Sequence, residues 1–577
     1  MNKYIKSIIL ATAVAPCLTG CLEEYTPTDV ATKEQLEQAD KSGIANAIAA
    51  YMTTFSTDNY YDVGFAGFGV WRDAMTADLP VAVNTYDYFT YFNYQNYLGD
   101  YALQSLFWQR YYYLIQKSNQ LLNVTDPEST DEHERAYMGN ALAYRAMAYL
   151  DMARMYEYRP TGVARLDQEA ESRGIYGLTV PIVTETTTEA ESRNNPRVPF
   201  WHLYRFILND LNRAETYLAD TRTATSKIQA CLGVVYGLKA RFWLELASRF
   251  ERHDQDLQTL IQNENNENLS HLAQMGITSA KECYRNAAEY ARLAINQGFT
   301  PVTETQWFDA RTGFNTPNNS WMWCISISPD DPAASSATWQ SFVSFMAPEA
   351  TWGIATSEYN GYRMIDARLF GTIPDNDWRK TTWIAPDDVA NEDSFNTKYA
   401  RGTSMSYNEW KSYGAYCGIK FHPNGGDRTT SANGNAVSIP LMRVEEMYLI
   451  EAEANAQVAG YGAGKQLLET FLNTYRYKDS SYSCPANSLE ELVEEIFAQR
   501  RIELWGEGLI LWDYRRLEHP IVRGYPGTNH PQPYWFNSYP DAVAPWTTIY
   551  IPDSEKNYNQ AVILNPDPSD AIPAWTN

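Results

Sequence analysis

"ERAYMGNALAYRAMAYLDMARMYEY", Glu134 to Tyr158, repeats its bulky apolar residues at helical rather than strand spacing. Met138, Leu142, Tyr149, Met152 and Tyr156 line one face of a helix, with the small Ala141 and Ala148 beside them. The same period governs most of the chain from Leu103 to about Asn296. "SKIQACLGVVYGLKARFWLELASRF" (Ser226 to Phe250) places Leu232, Val235, Phe242, Leu246 and Phe250 on one stripe. Its Gly233 and Gly237 weaken a helix unless something uses the space they leave, and they predict close approach of a neighbouring helix. "FWHLYRFILNDLNRAETYLAD" and "KECYRNAAEYARLAINQGF" add two more amphipathic helices, the second stopped at Gly298. Successive helices with small residues at the crossings predict a mainly α fold, a tetratricopeptide-like helical repeat scaffold.

Between Phe299 and Pro440 that period is lost. "SWMWCISIS" (Ser320 to Ser328) alternates like a strand, and "HPNGGDRTTSANGNAVS" (His422 to Ser438) has loop composition. We read this as a large irregular, loop-rich insertion containing short strands. Helices return over Arg443 to Val458, Lys465 to Tyr475 and Leu489 to about Trp505, the last with a stripe of Leu489, Leu492, Val493, Ile496 and Phe497. The glycine-rich stretch Ala459 to Gln466 imitates a phosphate loop, but Ala459 stands at its first glycine and Gln466 at its metal-binding hydroxyl, so a turn between helices is expected. After His519 the chain is proline-rich and aromatic, the composition of loops packed on a body.

The returning helices carry a family pattern. "SIPLMRVEEMYLIEAEANAQ" (Ser438 to Gln457) resembles the R-x-x-E-x-Y-L-x-x-A-E-A segment of the SusD/RagB family, surface nutrient-binding lipoproteins of Bacteroidetes. "IFAQRRIELWGEGLILWDYRRL" (Ile496 to Leu517) resembles a second family stretch, matched by Arg500, Glu503, Leu504, Glu507, Gly508, Asp513 and Arg516. Gln499 and Ile510 depart from it, standing where the pattern has Glu and Arg, which removes one ion pair. "ALAYRAMAYLDMARMYEYRP" is similar to an early family segment, with Glu157 in place of its glycine, and the Asn565-Pro566 tail also fits. The resemblance implies a non-enzymatic protein without cofactor that captures oligosaccharides, or peptides in the RagB branch. It would hand them to a SusC-type TonB-dependent transporter in the outer membrane. The rival readings are a surface glycoside hydrolase and a helical-repeat assembly factor.

The start of the chain agrees with export. Lys3 and Lys6 precede the short, mostly apolar run Ser7 to Gly20, and Leu18-Thr19-Gly20-Cys21 resembles a bacterial lipobox. Residues 1–20 are therefore expected to be a lipoprotein signal peptide, with Cys21 the lipid anchor in the outer membrane. Glu23 and Glu24 resemble the surface-export signal of such lipoproteins. The remaining chain, 21–577, is expected to be one unit: helical repeats and an early loop region over 21–298, the ligand-site insertion over 299–440, returning helices over 441–518 and C-terminal loops over 519–577.

Composition narrows the ligand. Forty-six Lys and Arg oppose 70 Asp and Glu, a net charge of −24 that loss of Lys3 and Lys6 makes more negative, so nucleic acid is not an expected partner. Five cysteines beyond Cys21 have no metal or disulfide spacing and read as small buried hydrophobes, and seven scattered histidines give no metal site. Clustered glutamates at 445–453 and 490–495 lie on helices near arginines and read as ion pairs or solvated faces rather than a hydrolytic pair. Two aromatic segments remain. Val70 to Tyr97 supplies Trp71, Tyr86, Tyr88 and Tyr91 with Asp73 and Asp78. The insertion supplies Trp321, Trp339, Trp352 and Tyr359 with Arg363. Flat rings take up the C–H faces of sugars, and carboxylate or guanidinium groups bond their hydroxyls; the family resemblance implies a ligand site built from an early loop region and the mid-chain insertion, which makes these the candidate ligand-binding residues.

Overall fold

Two of the longer helices of the first half begin at side-chain caps. The structure, a computed structural model, describes residues 41–56, 62–83, 87, 89, 97–221 and 226–576. Its longer helices are α1 (Lys41–Tyr51), α2 (Gly64–Ala74), α3 (Ala102–Val124), α4 (Glu132–Tyr156), α5 (Phe200–Tyr217), α6 (Leu232–Arg252) and α7 (Ala280–Ile295). The Asp131 carboxylate accepts the Glu134 N–H at the start of α4, and a reciprocal Ser279/Glu282 capping box starts α7. From α3 to α7 each helix packs on the next, and α1 closes the array against α3 and α4. This is the repeat scaffold that the sequence predicts.

Helix α4 departs from the amphipathic expectation. Every residue from Met138 to Leu150 is buried, because α1, α3, α5 and α6 all pack against it. Its polar residues survive there by pairing: Arg145 Nε donates to Asp210 at 2.7 Å and Arg154 Nε to Glu245 at 3.0 Å.

The insertion does not divide the array. Helix α7 packs on α8 (Val444–Ala459) as it does on α6, although residues 299–440 separate them in sequence. Two antiparallel strands bracket the insertion, β1 (Trp321–Ser326) and β2 (Ser438–Arg443), in the register Trp321 to Arg443 and Ser326 to Ser438. The alternation read in β1 is not expressed as two faces, since Trp321 to Ile325 are all buried. The close approach at Gly237 comes from β2, not from a helix: a Cβ there would meet Met442 Sδ at 2.2 Å, and one at Gly233 would meet Phe299. The glycine-rich turn is likewise shorter than expected. Gly460 turns the chain at φ +99°, and α9 (Tyr461–Tyr475) starts at once, with Gly464 against Ala456 of α8. Helices α10 (Leu489–Glu503) and α11 (Ile510–Arg516) complete the frame. The C-terminal segment wraps this body, and Asn565 of the Asn-Pro tail is fully buried, donating to the Tyr156 and Ile549 carbonyls and accepting from Arg197. No helix among the described residues is long and apolar enough to cross a membrane.

Frame and insertion meet at a buried set of charges. Glu503, fully buried at the end of α10, accepts from three guanidinium groups: Arg476 Nε at 2.7 Å, Arg379 Nη1 at 3.0 Å and Arg443 Nη1 at 3.1 Å. Arg443 also bonds Glu507, and Lys420 bonds Glu507 at 2.6 Å together with the Trp505 carbonyl. Asp377 accepts from Arg379, and Glu445 accepts from Arg476 and the Val302 N–H. Four cations thus face four carboxylates, so the group is neutral as a whole and none of its members is left as an isolated buried charge. Burial alone would raise the Glu503 carboxyl, yet Arg476, Arg443 and Arg379 hold it well below the usual carboxylate range. A depressed carboxylate stabilises the fold above its ordinary pKa and loses that contribution as pH falls through its folded value. Glu503→Ala is expected to destabilise the protein by about 3–5 kcal/mol, because it leaves four buried cations facing three carboxylates. A urea titration of secondary structure checks this, and a loss under about 1 kcal/mol, the scale of an exposed pair, contradicts it.

Candidate functional site

The early segment is anchored in the frame before it reaches the insertion. Helix α2 is buried along its length, and Trp71 lies fully buried against Phe107, with ring centroids 4.3 Å apart. It cannot stack on a ligand, which corrects the expectation for this residue. Gly69 of α2 touches Gly508 backbone to backbone. A Cβ at Gly508, where φ is +74°, would sit 2.3 Å from Gly69 Cα, so any side chain there is excluded twice.

Asp73 and Asp78 belong to the same junction. Asp73 accepts the Gly508 N–H at 2.8 Å while its second oxygen is buried without a hydrogen bond, and this burial pushes its carboxyl up to about 7. Asp78 pairs with Arg501, accepts from the Tyr514 hydroxyl, and receives the Trp505 indole N–H on its carbonyl at 2.8 Å. Both carboxylates hold the early segment on α10 and α11 and are closed to a ligand, a second correction.

Past Pro80 the chain pairs with the insertion. Val81 and Arg363 form an antiparallel bridge, and Met364 N–H donates to the Pro80 carbonyl at 2.9 Å. Arg363 is buried, forms an ion pair with Asp87 and lies 5.9 Å from the Phe345 ring, on which Phe89 packs edge-on at 4.8 Å. The two aromatic segments are therefore neighbours, but Arg363 is a clamp between them rather than a sugar-facing group. Tyr86, Tyr88 and Tyr91 lie outside the described residues.

Within the insertion the predicted rings divide. Trp321 is fully buried in β1, so the expectation of a platform there is also corrected. Trp339 and Trp352 are half-buried and Tyr359 is exposed. Trp352 lies over Gly434, where a Cβ would meet its ring at 2.2 Å, and its indole N–H donates to Asn435 Oδ1 at 3.2 Å. Asn435 in turn donates to the Ala337 and Thr338 carbonyls and accepts from Ser341, which ties the Trp339 loop to the Trp352 loop. Half-buried Tyr362 packs edge-on against Tyr413 at 5.5 Å. Arg428 joins these loops, donating to Glu409 at 2.6 Å and to the Glu349 and Ser404 carbonyls, and this bond holds the Glu409 carboxyl at about 2. Sequence reading missed Asn435, Arg428 and Glu409; the asparagine-rich loop "SANGNAVS" (Ser431 to Ser438) is the one signal that pointed near them. What survives is a set of partly open rings on pinned loops, a surface suited to C–H faces of a ligand with amide and hydroxyl groups beside them.

Two family models match the chain. One, the SusD family, covers residues 338–574, and the other, described as starch-binding associating with outer membrane, covers residues 24–244. Together they take in the first array as far as residue 244, the insertion from residue 338 and the returning helices. The chain belongs to the SusD family. Solved structures of the family share the fold. A SusD-like carbohydrate binding protein of Bacteroides vulgatus is 21% identical with a TM-score of 0.63, covering 91% of this chain and 96% of its own. Surface glycan-binding protein A of Bacteroides thetaiotaomicron, solved with laminarihexaose, is 16% identical with a TM-score of 0.59, covering 91% and 98%. A laminarin binding SusD-like protein is 15% identical with a TM-score of 0.58, again covering 91% and 98%. No curated protein matches the chain by sequence.

The SusD pattern residues turn out to be structural. Arg443, Glu503 and Glu507 form the buried charge set, while Asp513 joins Arg500 to Arg516 and Arg516 reaches Glu453. At the two departures, Gln499 accepts from Arg379 at 2.6 Å and Ile510 is buried among apolar groups, so a hydrogen bond and an apolar contact replace charge.

Two outcomes follow from this placement. Trp71→Ala is expected to cost about 3–5 kcal/mol of stability, as for a core ring, and a denaturation curve matching the parent protein contradicts its burial. For Asp73 the folded pKa lies above the unfolded one, so the native state binds the extra proton between about pH 4 and 7 and stability falls as pH rises through that window. Asp73→Asn, which keeps the acceptor for Gly508, should therefore gain stability relative to the parent protein as pH rises from 4 to 7. Melting points that differ by the same amount at both pH values would contradict it.

Proposed function

We propose that this SusD-family chain is a cell-surface lipoprotein that binds oligosaccharide or polysaccharide without cleaving it and delivers it to a SusC-type TonB-dependent transporter. The observation that carries this reading is the pair of pinned tryptophan loops: Trp352 and Trp339 stay partly open although Asn435 holds them in place, whereas Trp71 and Trp321 are core. Fixed, half-exposed rings are an expensive way to build a surface unless a ligand covers them. The family description "associating with outer membrane" and the similarity to carbohydrate-binding and glycan-binding proteins of Bacteroides support the same reading. Cys21 lies outside the described residues, and its role as lipid anchor rests on the lipobox.

Binding by open rings with a required release step is expected to be weak, with Kd on the order of 10 μM to 1 mM. Trp352→Ala should weaken retention of the protein in polysaccharide-containing native gels by about 1–3 kcal/mol in affinity, with a small change in melting temperature. A lowered melting point with unchanged retention would remove Trp352 from the site, and reducing ends released at a catalytic rate would replace binding by hydrolysis. Export itself is tested by Cys21→Ala. The variant should leave the outer-membrane fraction of cells lacking the transporter, because it lacks the acyl chains and no helix among the described residues is long and apolar enough to cross a membrane; retention there contradicts the anchor.

A further inference from the structure

A cleft away from the tryptophan loops has the chemistry of a carbohydrate site. It lies between α3 and the C-terminal stretch 552–559 and has a volume of about 550 Å³, within the range of small-molecule sites. Its walls carry the rings of Tyr112, Tyr113 and Tyr558, and Tyr113 and Tyr558 are 51% and 70% exposed. Packing does not require such exposure. Also in the lining, Trp108 is held by its indole N–H, which donates to Glu555 at 2.8 Å, and the Tyr112 hydroxyl donates to the Pro181 carbonyl at 2.8 Å, so both rings are fixed in orientation. Gln109 and Gln116, one α3 turn either side of Tyr112 and Tyr113, supply amides to the cleft.

A second opening borders the cleft. Asn195 also lines this opening, of about 560 Å³, walled by Thr186, Thr187, Glu191 and Asn194. An aromatic cleft bordered at Asn195 by a polar opening fits an elongated ligand better than a compact one. Among the described residues, the lining of both openings contains Glu555 and Glu191 and no lysine or arginine, on a chain of net charge −24. That lining does not compensate an anion.

We infer that this cleft and the opening beside it form a second glycan-binding site, which takes a neutral linear polysaccharide across Tyr113 and Tyr558 and on past Asn195. The inference rests on the proposed glycan-binding function and adds to it a ligand class and a second point of attachment. Two sites on one polymer chain raise avidity without tight binding at either, so each can release its segment in turn.

The test uses native gels containing laminarin, amylopectin, dextran, polygalacturonate or alginate, with the full mature chain and three variants: Tyr113→Ala/Tyr558→Ala, Trp352→Ala, and all three substitutions together. Both tyrosines are exposed, so the double variant is expected to melt with the parent protein. For the neutral polymer that retards the parent chain most, the double variant should bind about 3- to 10-fold more weakly and the triple variant not at all, with no change in the acidic gels. If the double variant is retarded as the parent is while Trp352→Ala alone abolishes retardation, the second site is refuted and the glycan reading stands. If polygalacturonate or alginate is the polymer bound through the tyrosines, the neutral class is refuted. If no gel retards the parent chain, the glycan reading falls and this inference with it.

Discussion

Glu503 receives three arginines in a place that water does not reach, and the fold is organised around keeping that arrangement neutral. Removing one partner from such a set leaves a charge that the interior cannot solvate, so the participating segments are tied to one another more strictly than apolar contact alone would tie them. Those segments come from distant parts of the chain. Arg379 and Lys420 belong to the insertion, Arg443 and Glu445 to the junction of β2 and α8, Arg476 to the end of α9, and Glu503 and Glu507 to the end of α10. The insertion is knit internally by backbone bonds of turns and short bridges. Side chains of the charge set add to the few backbone bonds that join it to the frame.

The same logic explains which parts were legible in sequence. Helices α3 to α7 and α8 to α10 announce themselves by period, since burial of a stripe is a local requirement. The pattern Arg443, Glu503, Glu507, Gly508 was legible as a family signature, and its physical content is the charge set plus the backbone contact between Gly508 and Gly69. The ligand surface was less legible. Trp71 and Trp352 both belong to aromatic-rich segments in sequence, and what separates them is tertiary: α2 is enclosed by α3 and the Gly508 turn, whereas Trp352 rests on Gly434 and stays half-buried. Asp73, Asp78 and Arg363 looked like ligand groups because buried ion pairs and binding sites use the same residues. Only the partners, Gly508, Arg501 and Asp87, tell them apart.

A rigid frame with rings on pinned loops suits a protein that must bind and release. In the proposed reading, the charge set and the helical array hold the loops without contributing to the ligand surface, which assigns stability and affinity to different residues. The Asn435 hub is the link between them: it bonds backbone on one loop and an indole on the other, and thereby transmits the order of the insertion to Trp352.

Whether the insertion is one cooperative body with the frame can be measured directly by native-state hydrogen exchange. If the charge set binds them together, the amides of β1, of residues 378–383 around Arg379 and of α10 should open with one common free energy close to that of global unfolding. Exchange of β1 and residues 378–383 through a separate opening several kcal/mol below that of α10 would show that the insertion folds on its own terms, and would contradict a fold held together through Glu503.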